Sequence, residues 1–515
     1  MYSNVITATL HGLEGLPVQV EVDLSAGLPA FLLVGLPDTS VREARDRIHR
    51  AIANCGFSFP QKKITVNLSP ANQRKEGTHF DLPIALGVLA AGKVIPPDSL
   101  QGKAFLGELS LDGRIHPVRG ALPLAAGLQN SGYRKLFLPK ENCGETGLLQ
   151  EMELYPAEHL SQVVDILRGE TSAQRWQGDP SGTLAEDASL YPDFGEVRGQ
   201  EGIKRALTVA AAGGHGVLLS GEPGAGKTMM ARCLPGILPP MTPEEQLEIT
   251  MIYSVAGELK GKEGAVRRRP FREPHHTIPV TALTGGGGKP KPGELSLAHG
   301  GILFLDELPE YDRRITEALR EPLESKRMVL TRLAETVVYP ADFLLVAACN
   351  PCPCGFLGSK ERECTCSGAQ IRRYRARLSG PVLDRIDIRL EVEPVPYREL
   401  AVRKPDQSKE GSTERCRTSS ELREEVQRAA AVQEERYRNI GIRRNSQLDA
   451  KQLKTYCTPD RPGADLLEQA FQSLHLSARA YGKVLKVART VADLNGKDTI
   501  GLAEVGEALR YRGAF

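Results

Sequence analysis

No run of about 18 uncharged apolar residues occurs in this chain, which argues against a membrane-spanning helix. The opening MYSNVITATLHG also lacks the basic start and apolar run of an export signal, so a cytoplasmic setting is expected. The formal net charge is only +2, so bulk charge neither supports nor excludes nucleic acid, and such binding must come from local patches. Tryptophan occurs once, at Trp176, and no repeat of solenoid length is visible. Cysteine, by contrast, occurs ten times, with four residues in one short segment. Without an export signal, that clustering points to a metal or to nothing rather than to disulfides. A length of 515 residues exceeds what one core serves, so two or three domains are expected.

Composition divides the chain into blocks. Residues 1–167 alternate short apolar runs with Gly and Pro turns and include a helical stretch at 40–54, the mixture of an α/β or α+β domain. Residues 168–192 are poor in aliphatics and rich in Gly, Ser, Asp and Pro, and read as a linker that holds Trp176. From 193 to 400 the apolar runs GVLLS (216–220), ILFL (302–305) and FLLVAAC (343–349) read as buried parallel strands between helical patterns. A polar stretch spans 403–420. Residues 420–438 and 477–493 read as helices, so 401–515 is expected to be a helical lid.

GEPGAGKT, Gly221, Glu222, Pro223, Gly224, Ala225, Gly226, Lys227 and Thr228, stands between an apolar strand and a helical pattern, the context that a phosphate-binding P-loop requires. Glycines let backbone N–H groups close around phosphate oxygens at a helix N-terminus. Lys227 is placed to reach the β- and γ-phosphates, and Thr228 to hold Mg²⁺. GGILFLDE ends a buried strand on Asp306 and Glu307, the first suited to completing the Mg²⁺ shell and the second to orienting the attacking water. Together these predict nucleoside triphosphate hydrolysis. Asn350 ends the next strand, where it suits positioning the lytic water and equally suits a turn before Pro351.

With these elements in order, the chain resembles the AAA+ ATPases and, within them, the magnesium-chelatase-like ComM/YifB family. The strings carrying the resemblance are GQEGIKRALTVAAAGGHGVLLSGEPGAGKT (199–228), REPHHTIPVTALTGGG (272–287), PGELSLAHGGILFLDELPEY (292–311), ACNPCPCG (348–355) and LSGPVLDRID (378–387). The resemblance implies ATP as the nucleotide, Asn350 as sensor 1, Arg479 as the sensor-2 arginine of the lid and Arg385 as an arginine finger. The last could instead pair locally with Asp384 or Asp387. A finger acting in trans implies a homohexameric ring. The resemblance also implies two pore hairpins, one over 280–298 carrying Lys289 and Lys291, and one over 327–339 with Arg332 near its turn. Their charges suit sequence-independent contact with single-stranded or branched DNA, although exposed loops carry such residues anyway.

Cys352, Cys354, Cys364 and Cys366 form CPC and CTC around a polar, Gly-containing loop, and four thiolates suit structural Zn²⁺; buried or idle thiols are the alternative. The run QIRRYRARLSG (370–380) suits a nucleic-acid backbone, a solvated helix face or a subunit contact. The pair His275 and His276 lacks an evident third metal ligand.

Residues 1–167 resemble the proteolytic domain of Lon through RKEGTHFDLPIALGVLAAG (74–92) and GELSLDGRIHPVRGALPLAAGLQNSGYRKLFLPKEN (107–142). The place of the nucleophilic serine falls at or near His79 and that of the lysine base at about Leu122, so peptidase chemistry is not expected. A scaffold, a ring collar or a DNA guide using Arg74 and Lys75 is expected instead. The function expected from all this is ATP-dependent branch migration in homologous recombination and natural transformation. A chelatase-type motor or another protein-remodelling ATPase is the alternative.

Overall fold

The computed structural model describes residues 1–178, 191–259, 264–287, 290–332, 335–360, 362–378, 380–395 and 416–513. Much of the expected linker, Lys289 and the polar stretch up to residue 415 therefore lie outside the described residues.

The chain begins with β1 (Tyr2–His11), β2 (Glu14–Ser25), β3 (Ala30–Val34), β4 (Lys63–Ser69) and β5 (Lys103–Phe105). A small hairpin of β6 (Glu108–Leu109) and β7 (Ile115–His116) comes next, then β8 (Lys135–Pro139) and β9 (Glu153–Ala157). Seven of these form one mixed sheet in the order β3-β4-β2-β1-β5-β8-β9. Along β2 the period is two: Val18, Val20, Val22 and Leu24 are buried, while Gln19 and Asp23 face solvent. Asp81–Ala91, a helix buried at every residue, covers that apolar side, and helix Ala44–Asn54 turns Ile48, Ala51 and Ile52 inward. The aliphatic-poor segment after residue 168 is not free at its start, because the Trp176 amide donates to Leu154 O of edge strand β9 at 2.8 Å.

The second sheet comprises β10 (Val217–Gly221), β11 (Phe271–Arg272), β14 (Ile302–Leu305), β17 (Leu344–Cys349) and β18 (Ile388–Val392), all parallel, in the order β11-β14-β17-β10-β18. Every residue of β10, β14 and β17 is buried, as a parallel sheet covered on both faces demands. Two antiparallel hairpins leave this core: β12 (Gly285–Gly286) with β13 (Lys291–Pro292), and β15 (Arg327–Arg332) with β16 (Glu335–Pro340). They meet where the Tyr339 hydroxyl donates to Pro290 O at 2.8 Å.

Helices Ser419–Tyr437, Arg461–Ser473, Ala478–Leu494 and Leu502–Arg510 form the C-terminal part and share one apolar core with β10 and helix Glu201–Gly213. Buried Asp493 cross-links them, accepting from Arg436 Nη2 at 2.6 Å, Asn445 Nδ2 at 2.8 Å and Arg489 Nε at 3.1 Å. No helix among the described residues is long and apolar enough to cross a membrane.

The N-terminal sheet domain and the core built on the second sheet are in contact. Leu247 and Met251 of helix Pro243–Ala256 pack on the apolar cluster around Leu122 and Leu128, and the Gly120 amide donates to Ser254 O at 3.1 Å. Glu145 is buried at this seam, bonded to Asn142 Nδ2 at 2.6 Å, and burial pushes its carboxyl up to about 7. Lys75 is buried too, its ammonium donating to Pro70 O and to Gln73 O, the latter at 2.8 Å, which corrects the expectation that it could guide DNA.

Candidate nucleotide-binding site

Strand register assembles the site. In the parallel pairings Ser220 lies beside Cys349, and Leu305 beside Ala347, so β10, β17 and β14 end at one edge of the sheet as three neighbours. The glycine-rich loop, Asn350, and the pair Asp306 and Glu307 extend directly from these three strand ends. Open α/β sheets bind their ligands at this carboxyl edge.

Gly224 and Gly226 have φ of +81° and +85°, a conformation that side chains rarely adopt, and space around them is open. Helix Lys227–Cys233 starts directly after them. The Lys227 ammonium donates to Gly221 O at 2.7 Å, Glu222 O at 2.9 Å and Asn350 Oδ1 at 3.1 Å. Burial holds its pKa below the usual lysine range. The Thr228 hydroxyl donates to Asp306 Oδ2 at 2.8 Å, and the other carboxylate oxygen accepts from the Glu307 amide at 2.9 Å. Glu307 sits at φ +50°, a strained backbone for a side-chain-bearing residue, and keeps its carboxylate largely exposed. His276 Nδ1 lies 3.9 Å from Glu307 Oε2, a neighbour that the REPHHT string did not reveal as such.

Arg385 and Arg479 stand elsewhere. Arg385 precedes β18, whose first residue pairs with Val217 at the start of β10, so it lies at the amino edge of the sheet. The length of β10 separates that edge from the phosphate loop, about 13 Å at about 3.3 Å per residue. Arg385 pairs with Glu324, a partner different from Asp384 and Asp387. Arg479, 73% exposed, lies beside it, with Nη1 3.8 Å from Asp384 Oδ2. Behind them Asp387 is buried between His215 at 3.0 Å and Lys483 at 3.0 Å. Burial opposes its charge, but these partners overcome that and hold its carboxyl well below the usual range.

The four cysteines of the 352–366 segment converge. Sγ separations are 3.3 Å for Cys352–Cys354 and 3.6 Å for both Cys352–Cys364 and Cys354–Cys364, and with Cys366 all lie within 4.8 Å. A tetrahedral ion with Zn–S bonds of about 2.3 Å separates its sulfurs by about 3.8 Å, so the donor set fits zinc. The knuckle leans on the phosphate loop: a Cβ placed on Gly355, at φ +87°, would sit 2.6 Å from Pro223 Cδ. Tyr374, in the adjoining helix Gly368–Arg377, is buried, so it offers no ring for base stacking among the exposed Arg372, Arg373 and Arg377. Lys291 is exposed on β13, and Arg332 ends β15 opposite Glu335.

Residues 193–400 match the family described as magnesium chelatase, subunit ChlI; residues 20–142 match subunit ChlI of Mg-chelatase and 416–512 its C-terminal region. Together with the parallel sheet and its loop cluster, these define a magnesium-chelatase-like member of the AAA+ family. Protein YifB of Escherichia coli K12, uncharacterized, is 41% identical over 510 residues, covering 99% of this chain and 97% of that protein. The competence protein ComM of Haemophilus influenzae is 42% identical over 510 residues, covering 97% of this chain and 95% of its own. The magnesium-chelatase 38 kDa subunit of Rhodobacter capsulatus is 29% identical over 191 residues, 33% of this chain. The chain belongs to the ComM/YifB family.

Proposed function

We propose that this chain is the subunit of a homohexameric, cytoplasmic, ATP-driven DNA motor that migrates branches during homologous recombination and natural transformation. The observation that carries the reading is the Lys227, Thr228, Asp306 and Asn350 cluster on a chain that aligns end to end with a competence protein. In this reading the loop Gly221–Thr228 wraps the ATP phosphates, and Lys227 reaches the β- and γ-phosphates. Thr228 and Asp306, already side by side, would hold Mg²⁺, which when bound offsets phosphate charge. Glu307 orients and deprotonates the attacking water, with Asn350 beside it.

Arg385 acts as the arginine finger on the neighbour's nucleotide and Arg479 as the sensor-2 arginine of the lid; the place of Arg385 at the amino edge of the sheet, away from its own phosphate loop, supports a role in trans. The hairpins bearing Lys289, Lys291 and Arg332 line the pore and hold DNA phosphates. The cysteine knuckle binds structural Zn²⁺ and braces the phosphate loop through Gly355. Residues 1–167 form a Lon-like domain without peptidase chemistry, because buried His79, bonded to Ala8 O at 2.8 Å, and buried Leu122 stand where serine and lysine would be needed. Residues 168–192 link it to an ATPase core over 193–400, and 401–515 form the lid.

A chelatase-type motor is the second reading, favoured by the match to the chelatase family, although the chelatase subunits of Heliobacterium mobile and Rhodobacter capsulatus align with only about a third of this chain. ATP turnover measured with and without single-stranded and forked DNA, over a range of salt, separates the two. Salt-sensitive stimulation by DNA is expected; turnover indifferent to every DNA overturns the motor.

A further inference from the structure

The N-terminal sheet carries a groove of about 620 Å³ between β3, helix Ala44–Asn54 and the loop that leads into β4. Three cations line it, Arg45 and Arg50 from the helix and Lys62 from the loop, against a single acid, Asp46. All three are exposed, and among the described residues none of them forms an ion pair. Arg47 of the same helix, by contrast, is committed to buried Asp81 at 2.7 Å. Between the cations stand half-buried rings: Phe31, Phe59 and His49, the last two edge to face with centroids 4.5 Å apart.

We infer that this groove binds single-stranded nucleic acid, with Arg45, Arg50 and Lys62 against successive phosphates and a base stacked at the Phe59–His49 pair. The inference rests on the DNA-motor reading and gives the N-terminal domain a contact with the strand outside the pore. Unpaired cations are what a polyanion needs, since a cation already in an ion pair must first give up its partner. Rings framed by such cations are the arrangement that holds unstacked bases irrespective of sequence, because every base has a π-face. The groove admits a nucleotide, and a duplex, whose bases are turned inward, has none to offer for stacking. An acidic peptide would satisfy the cations and leave the rings unused.

The test measures fluorescence anisotropy of a labelled oligothymidylate titrated with the full chain over a range of salt. Arg45→Ala/Arg50→Ala/Lys62→Ala is expected to weaken binding at least tenfold and to lower the log–log salt slope by about 2, at about 0.7 per single-strand phosphate contact. Phe59→Leu, which keeps the apolar filling and removes the ring, is expected to weaken binding about tenfold without changing the slope. Oligothymidylate carrying 5-iodouracil is expected to cross-link to the peptide containing Phe59. Unaltered affinity and slope in both variants, with cross-links confined elsewhere, overturn the groove and leave the motor standing. Displacement of the oligonucleotide by polyglutamate at equal charge concentration overturns the nucleic-acid assignment in favour of acidic protein. Failure of the wild-type chain to bind any DNA overturns the motor reading itself, and the groove with it.

Discussion

Lys227 ties its own loop to the end of β17, bonded to two carbonyls of the loop and to Asn350. Lys227→Ala removes the cation placed for the β- and γ-phosphates and is expected to abolish binding of a fluorescent ATP analogue. Glu307→Gln keeps that binding and should lower turnover about 10²- to 10⁴-fold, the usual weight of a positioned general base, measured as phosphate release. Gly355→Ala tests the knuckle's hold on the loop. A methyl there meets Pro223 and costs about 1–2 kcal/mol of left-handed strain, so ATP affinity should fall roughly tenfold while zinc content stays unchanged. Unaltered affinity would mean that the knuckle and the loop move independently. The motif residues were legible because each stands next to others of its own string. Glu324 as the partner of Arg385, and Pro223 under Gly355, were not, since those pairs are distant in sequence and meet only through strand register and loop packing.

Among elements, the expected strands at 302–305 and 343–349 and helices at 420–438 and 477–493 fall within one or two residues of those observed. Continuous apolar runs and capping residues such as Thr418 and Ser477 mark their ends without help from the rest of the fold. The N-terminal block was less legible. Its helix Asp81–Ala91 is apolar all round and has no polar face to report its period, and β5 to β7 are only two or three residues long. The seam between the two domains had no signal in the sequence, and Glu145 makes it testable. Its folded pKa of about 7 exceeds the usual 4.5, so the folded state holds a proton that the unfolded chain releases. Stability carries no penalty from this group below about pH 4.5, falls as pH rises toward 7, and levels off above, by at most about 3 kcal/mol. Glu145→Gln, which still accepts from Asn142, should flatten the unfolding midpoint across that window. An unchanged pH profile would remove Glu145 as its source.

For the whole molecule, the fold class was readable because a P-loop, an acidic strand end and a helical tail in that order admit few architectures. How subunits meet was not readable, because it depends on which edge of the sheet each arginine occupies. Arg385→Ala should leave ATP binding intact and stop turnover, and mixing it with the Glu307→Gln protein should restore part of the activity, since some interfaces then combine a sound finger with a sound base. Activity that stays at zero in every mixture would place the finger in its own subunit. Elemental analysis of protein purified without chelator should give zinc in proportion to chain; its absence would leave the four thiols idle. The strand's length between the phosphate loop and the two arginines also has an arithmetic consequence. If every hydrolytic centre is a junction, an open string of subunits has one centre fewer than it has chains, an isolated chain has none, and only a closed ring matches chain for centre. Specific activity should then climb with protein concentration, and every break in the ring, whether a missing subunit or one prised apart to admit a strand, silences one centre and leaves the others running.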